Sequence, residues 1–504
     1  ATVVLLQITL SMNTKYVLIL SFCSWLSLLG IAQTYSTTYI DINPGATSSL
    51  VEQLTVDRND LYMYMRAESD ASTGRELHRK YHLWNYVDQY RDNYPGAANG
   101  NPQNLTLFRD PNQVYYAAIN SFGDYAVFSS NNPNQEQSQD QVSQFTSCGN
   151  RMYYKGRDVS TVGTEIWYCT TTSGSAQAID LSPGTANTTV SALENLNDNS
   201  IIAIVRPNGS SNDQLIVTNG TTTTVLLEEG VGGVTAISTS ESNLVQGDHE
   251  VFFIANKGQG SELWVTDGTV VGTYQVEDYY PGSSSSSPTS LTWNEDNNTL
   301  YFSAIGSDGD REPCRVVSGS NNVERMANLN GTASSAPTQF LNAGTNVYFV
   351  ARVASGSRYY LYSANAAGTV TLVSNLNGLV AYTTPLSFQA GAFDNDDNVF
   401  FEVIIESTGQ HQLWAHNEST NATQFIRVVG DIQEMVNFRG RLYYTDTYTP
   451  DGIGKELYVA YECDITFTTS ITDASCPSSS DGSISMTENG EFGSCDYDWD
   501  YDGT

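Results

Sequence analysis

The chain has 504 residues, and its 55 Asp and Glu against 22 Lys and Arg give a formal charge of −33, a balance that argues against nucleic acid or an anionic membrane as partner. Its 31 Tyr, 18 Phe and 7 Trp supply more apolar surface than a disordered chain carries. With only 15% charged residues and 40 Gly, the composition is that of short strands joined by turns, and an all-β extracellular protein is expected.

Near the start, Met12-Asn-Thr-Lys15 precedes an apolar run from Tyr16 to Ile31, the pattern of a secretory signal. Gly30 and Ala32 fit the small residues of a cleavage site, which places a mature start near Gln33 and makes residues 1–11 untranslated sequence read through. The run is too short, and its flank too polar, for a good membrane anchor. Thr34 to Ile40 then alternates Thr and Tyr and ends at Pro44-Gly45, the form of an outermost strand with no blade before it.

From there a strand rich in aromatic and β-branched residues recurs nine times, beginning at Leu61, Val114, Met152, Ile201, Val251, Leu300, Val347, Val399 and Leu442. The mean spacing of about 48 residues matches a four-stranded propeller blade, and the period-2 patterning excludes helical solenoids. A second short strand follows several copies, as Glu76-Leu-His, Glu165-Ile-Trp, Glu262-Leu-Trp, Gln412-Leu-Trp and Glu456-Leu-Tyr. Asp267-Gly268 fits a tight hairpin turn. Pro44-Gly45, Pro95-Gly96, Pro183-Gly184 and Pro281-Gly282 mark where one blade gives way to the next. The expected fold is therefore all-β, a single large propeller of eight or nine four-stranded blades over residues 33–462, with the second repeat short. The N-terminal strand is expected to complete the last blade, near Met435 to Glu462.

The unit Glu262 to Thr273 resembles the secreted ELWxxDGTxxGT repeat proteins, many of them from bacterial surfaces. That resemblance implies a β-propeller and export, and brings no catalytic residues. After Glu462 the pattern changes, and Cys476, the Asp481-Gly-Ser-Ile strand and Trp499 are similar to the Ig-like repeats of SprB-type surface adhesins. Residues 463–504 are thus expected to be a small, incomplete Ig-like β domain, with too few strands for a sandwich.

Outside the signal there are six cysteines, an even number that suggests disulfides in an exported chain. Cys148 is expected to pair with Cys169 and Cys476 with Cys495, while Cys314 and Cys463 pair with each other or stay free. Eight Asn-x-Ser/Thr sequons, at Asn104, Asn187, Asn208, Asn219, Asn297, Asn330, Asn417 and Asn421, are candidate N-glycan sites. Acidic residues recur between first and second strands, at Asp57, Asp60, Asp110, Asp198, Glu295, Asp296, Asp394, Asp396 and Asp397. Ca²⁺ is the one cofactor such a face would suit, although Asp is also a common turn former, as at Asp308-Gly-Asp310 and in the Asp496 to Asp502 run. None of the five histidines, His78, His82, His249, His411 and His416, sits in a nucleophile or metal motif, so no enzyme is expected. Trp167, Trp264 and Trp414 read as packing between blades rather than a sugar-stacking ladder.

The architecture resembles the propeller-plus-Ig protomers of glycosylated fibrils and cell-surface hairs of aquatic microorganisms. It implies a secreted structural subunit that polymerises head-to-tail by strand sharing, through Thr34 to Ile40 or through the Ig-like segment. The alternative is a secreted adhesin or carbohydrate-binding propeller; a polysaccharide-active enzyme comes third.

Overall fold

A computed structural model describes residues 35–489, apart from 44–47, 71, 73, 97, 109–112, 131–139, 159, 171–175, 354–358, 374–387, 391–397, 406–407, 448–453, 463–465 and 473–482. The expected signal segment, Pro44-Gly45, Asp110, the Asp394 to Asp397 group, Asp496 to Asp502, Cys463, Cys476 and Cys495 lie outside the described residues.

Residues 37–460 form one compact unit, a β-propeller of nine blades. Each blade is an antiparallel sheet whose first strand lies innermost. The first strands are Glu52–Val56, Gln103–Phe108, Asp140–Cys148, Thr189–Asn197, the broken pair Ala236–Ile237 and Val245–Gln246, Thr289–Asn294, Thr338–Ala343, Phe388–Ala390 and Met435–Phe438. Successive first strands neighbour one another all the way round, and the ninth meets the first. The nine aromatic and β-branched runs of the sequence are the nine second strands, from Tyr62–Glu68 to Arg441–Asp446. Blade 2 shows three strands among the described residues.

Closure is made by the N-terminus. Tyr35–Ile40 is the outermost strand of blade 9, paired with Glu456–Glu462, so the ring is sealed by joining the two ends of the chain. This meets the expected circular closure, and it pairs Tyr35–Ile40 along one edge within its own ring.

The core lies between blades. Strand alternation sends one set of second- and third-strand side chains to each neighbouring blade. In blade 5, Leu263 joins Leu300, Phe302 and Val316 of blade 6, while Trp264 joins Ile202, Ile204 and Leu215 of blade 4. The tryptophans are thus inter-blade packing, as expected, and the Trp167 indole also donates to the Gly156 carbonyl.

The same alternation overturns one pairing. Cys148 stands opposite Arg151 and packs with Val190 and Leu193 towards blade 4, whereas Cys169 stands opposite Met152 and packs with Phe108 and Tyr115 towards blade 2. The two thiols are buried and free on opposite faces of one sheet, where no bond can join them. Cys314 is also a buried free thiol.

The Asp267-Gly268 turn differs from expectation as well. Thr266 pairs with Thr273, leaving six residues in the loop rather than two. Its shape comes from side chains: the Asp267 carboxylate accepts the Thr269 amide and hydroxyl, and the Thr269 hydroxyl accepts the Gly272 amide. The DGTxxGT pattern is a self-bonded loop.

Thr466–Thr472 and Ser483–Asn489 form a separate two-stranded antiparallel sheet, in the unit made by residues 1–36 and 461–504. Among the described residues it has no further strand.

Candidate functional site

The residues that recur most strictly are buried acids. Glu76, Glu165, Glu262, Glu312 and Glu456 each sit near the start of a third strand and are fully buried. Each clasps the loop that passes between blades. Glu165 accepts the Leu181 and Ser182 amides and the Thr188 hydroxyl; Glu262 accepts the Ser286 amide and hydroxyl; Glu312 accepts the Leu329 and Ser335 amides. Glu456 does the same for Ile42 and Ser49, fastening the N-terminal segment beside the closing strand.

Two residues before the clasp, Gly163 and Gly260 adopt φ of +68° and +84°, and a Cβ there would collide with the returning loop at Ala186 and Ser284. A glycine lets the loop cross, and the glutamate two residues on holds it there. Burial lifts the carboxyls of Glu76, to about 8, Glu165, to about 7, Glu262 and Glu456, against the downward pull of the donors they accept. This chemistry is structural: every acid oxygen is turned to its own loop.

Blade 8 breaks the pattern. Gln412 takes the third-strand position, and a carboxylate comes instead from Glu402 on the second strand. Glu402 is buried, and its Oε1 lies 2.5 Å from His411 Nδ1. Glu402 is opposite Leu413, two residues from His411, so both side chains share a face. Asp431, in the loop to blade 9, completes a group whose ligand atoms lie within 4.8 Å of one another. Among the described residues this is the one His/Asp/Glu group with metal-ligand spacing, and its donor set suits a transition metal better than Ca²⁺. Sequence reading singled out none of the three as a ligand. The signal available was Gln412 at a position where the repeats keep Glu.

Among the described residues the expected acidic turns form no group with metal-ligand spacing. Asp57 is buried and accepts the Leu61 amide; Asp308 accepts the Asp310 amide and pairs with Arg325. They act as turn formers.

Around the axis the wall is polar and uncharged for the most part. Gln53, Asn104, Gln144, Ser290 and Gln339 have φ between +53° and +61°, each at a register shift in a first strand. In sequence these bulges read Gln-Leu-Thr, Asn-Leu-Thr, Gln-Phe-Thr, Ser-Leu-Thr and Gln-Phe-Leu, a repeat that went unread. They stitch blade to blade: Gln144 donates to Ser191, Thr146 to Leu193, and Asn342 to Trp293. Glu434 accepts the Gln53 and Leu54 amides across the closing seam between blades 9 and 1. A pocket of about 520 Å³ opens there, lined by residues 53–55, 104–105 and 433–435.

The sequons fall into three settings. Asn104, Asn187, Asn208 and Asn421 are exposed. Asn219 is half-buried, its Oδ1 accepting the Thr221 and Thr222 amides. Asn297 donates its amide to Tyr301 and Thr345, and Asn330 to Ser334. Asn417 is buried and donates to Asn398. Asn297, Asn330 and Asn417 hold their amides for the fold, and a glycan on Asn417 has no room.

No family model matches the chain, and no curated protein matches it. Among solved structures it is similar to a prolyl endopeptidase (TM-score 0.41, 10% identity, 81% of this chain and 60% of that one). It is also similar to oligopeptidase B from Leishmania major (0.38, 8%, 81% and 57%) and to a puromycin-hydrolysing peptidase of Mycobacterium tuberculosis (0.35, 14%, 60% and 50%). The chain thus spans about half to three-fifths of the length of these structures. Among the described residues no helix is long and apolar enough to cross a membrane.

Proposed function

We propose that the protein is a non-enzymatic structural subunit of a glycosylated extracellular filament or surface appendage, joined head-to-tail by strand sharing. The observation that carries this reading is the two-stranded sheet of Thr466–Thr472 and Ser483–Asn489. An isolated pair of strands is marginally stable and gains most from added strands. In sequence the strands read Thr-Phe-Thr-Thr-Ser-Ile-Thr and Ser-Ile-Ser-Met-Thr-Glu-Asn, and the register sets Ile471 against Ile484 and Phe467 against Glu488. In this reading the two-stranded sheet, rather than the closed propeller, is the adhesive element. Strand addition from another protomer supplies backbone partners, and a contact that does not close on itself grows a filament.

Sedimentation velocity of the secreted chain over a range of concentrations tests this. Growth with concentration is expected for the full chain and absent from a chain ending at residue 462. A monodisperse full chain at every concentration overturns the reading.

The polar pocket at the closing seam favours a second reading, a carbohydrate-binding propeller. Binding on a glycan array that is lost with Gln433→Ala, in a protein that still melts cooperatively, would put it first. Trp414→Ala is a poor probe, because Trp414 packs against the core between blades 7 and 8.

A further inference from the structure

We infer that Asn104 carries an N-linked glycan whose first sugars sit inside the propeller, in the pocket at the closing seam. The inference rests on the reading of the chain as a secreted glycoprotein.

Asn104-Leu-Thr106 lies on the first strand of blade 2, one of the nine that surround the axis. Of the five bulge residues described above, Asn104 is the one that makes a sequon; its equivalents are Gln and Ser. Its φ of +55° is a left-handed conformation that Asn tolerates better than most residues. The residue is exposed and lines the pocket of about 520 Å³, a size within the range of about 300–1,000 Å³ that holds small ligands. The wall suits an N-acetylated sugar. Gln53 and Gln433 line it with amide side chains whose oxygens accept the Leu105 amide and the Lys455 ammonium, Glu434 lines it with a carboxylate that accepts the Gln53 and Leu54 amides, and Leu54, Leu105 and Met435 are apolar. A pyranose ring presents the matching mixture of hydroxyls, an acetamide and a C–H face. The pocket opens to solvent, so the rest of the glycan can leave through the mouth of the channel while the chain folds around its base. By contrast, Asn297 and Asn417 already give their amide nitrogens to protein acceptors.

The test uses the full chain secreted from a eukaryotic host, with glycopeptide mass spectrometry before and after treatment with peptide N-glycosidase, on native and on denatured protein. The expected result is occupancy at Asn104, with release from native protein at least about tenfold slower than from Asn187, Asn208 or Asn421. After denaturation all four are released together. A Thr106→Ala variant should lose only the Asn104 glycan. An empty Asn104 beside occupied Asn187 or Asn208 overturns the inference and leaves the glycoprotein reading standing. Release from Asn104 as fast as from the other sites overturns the seat in the pocket. No occupied sequon at all overturns the glycoprotein reading itself.

Discussion

In five of the nine blades a buried glutamate clasps the loop that leads to the next blade. In Glu165 the carboxylate takes three donors from one loop, so Glu165→Ala strands the Leu181 and Ser182 amides and the Thr188 hydroxyl together. The expected loss is about 1–3 kcal/mol, measured by chemical denaturation. The same group sets a pH dependence. Glu76 is lifted to about 8 and Glu165 and Glu194 to about 7, from an ordinary 4.5, chiefly by burial. The folded chain therefore keeps protons that the unfolded chain has given up. Their contribution is fully present below about pH 4.5 and is lost as pH rises through 7 to 8. Melting temperature should be higher at pH 5 than at pH 8, and the repulsion within a chain of charge −33 acts in the same direction. A melting temperature that rises from pH 5 to pH 8 would contradict this account of the acids.

At the level of elements, the closing strand separates folding from assembly. Tyr35–Ile40 completes blade 9, and the clasp from Glu456 holds Ile42 and Ser49 behind it. Deleting residues 33–40 should lower the melting temperature and make blade 9 sensitive to protease, because it bares the edge of Glu456–Glu462. Limited proteolysis followed by mass spectrometry reads this directly. The nine second strands were legible in sequence, since a fully buried strand needs an unbroken run such as Val251-Phe-Phe-Ile or Leu442-Tyr-Tyr. Closure by the N-terminus was legible for the same reason: a lone strand ahead of the first repeat has one vacant place in a ring. The Cys148 to Cys169 pairing failed because spacing along the chain says nothing of which face of a sheet a residue takes, and one residue of register decides it. The Glu402, His411 and Asp431 group was illegible because its members come from two strands and a loop, and only the blade brings them together. The inner bulges went unread because period-2 patterning sees the second strands, whereas Gln53 and Asn104 sit where a bulge breaks the alternation.

For the whole molecule, the proposed filament would be built of closed nine-bladed rings joined through the two-stranded sheet. The ring buries its strands between blades and exposes sequons such as Asn187 and Asn208 at its surface. The ribbon of Thr466–Thr472 and Ser483–Asn489 is where growth would occur. Strong negative charge would keep neighbouring filaments of the proposed kind apart at low ionic strength, and added salt shortens the reach of that repulsion to about 10 Å at 0.1 M. Lateral bundling should therefore rise with ionic strength while the axial joint, made of backbone hydrogen bonds, persists. The most direct test is electron microscopy of the secreted chain, with and without residues 463–504, at rising concentration. The account predicts filaments of regularly spaced nine-bladed rings from the full chain and single rings from the shortened one. Single rings from both, or filaments from both, would contradict it.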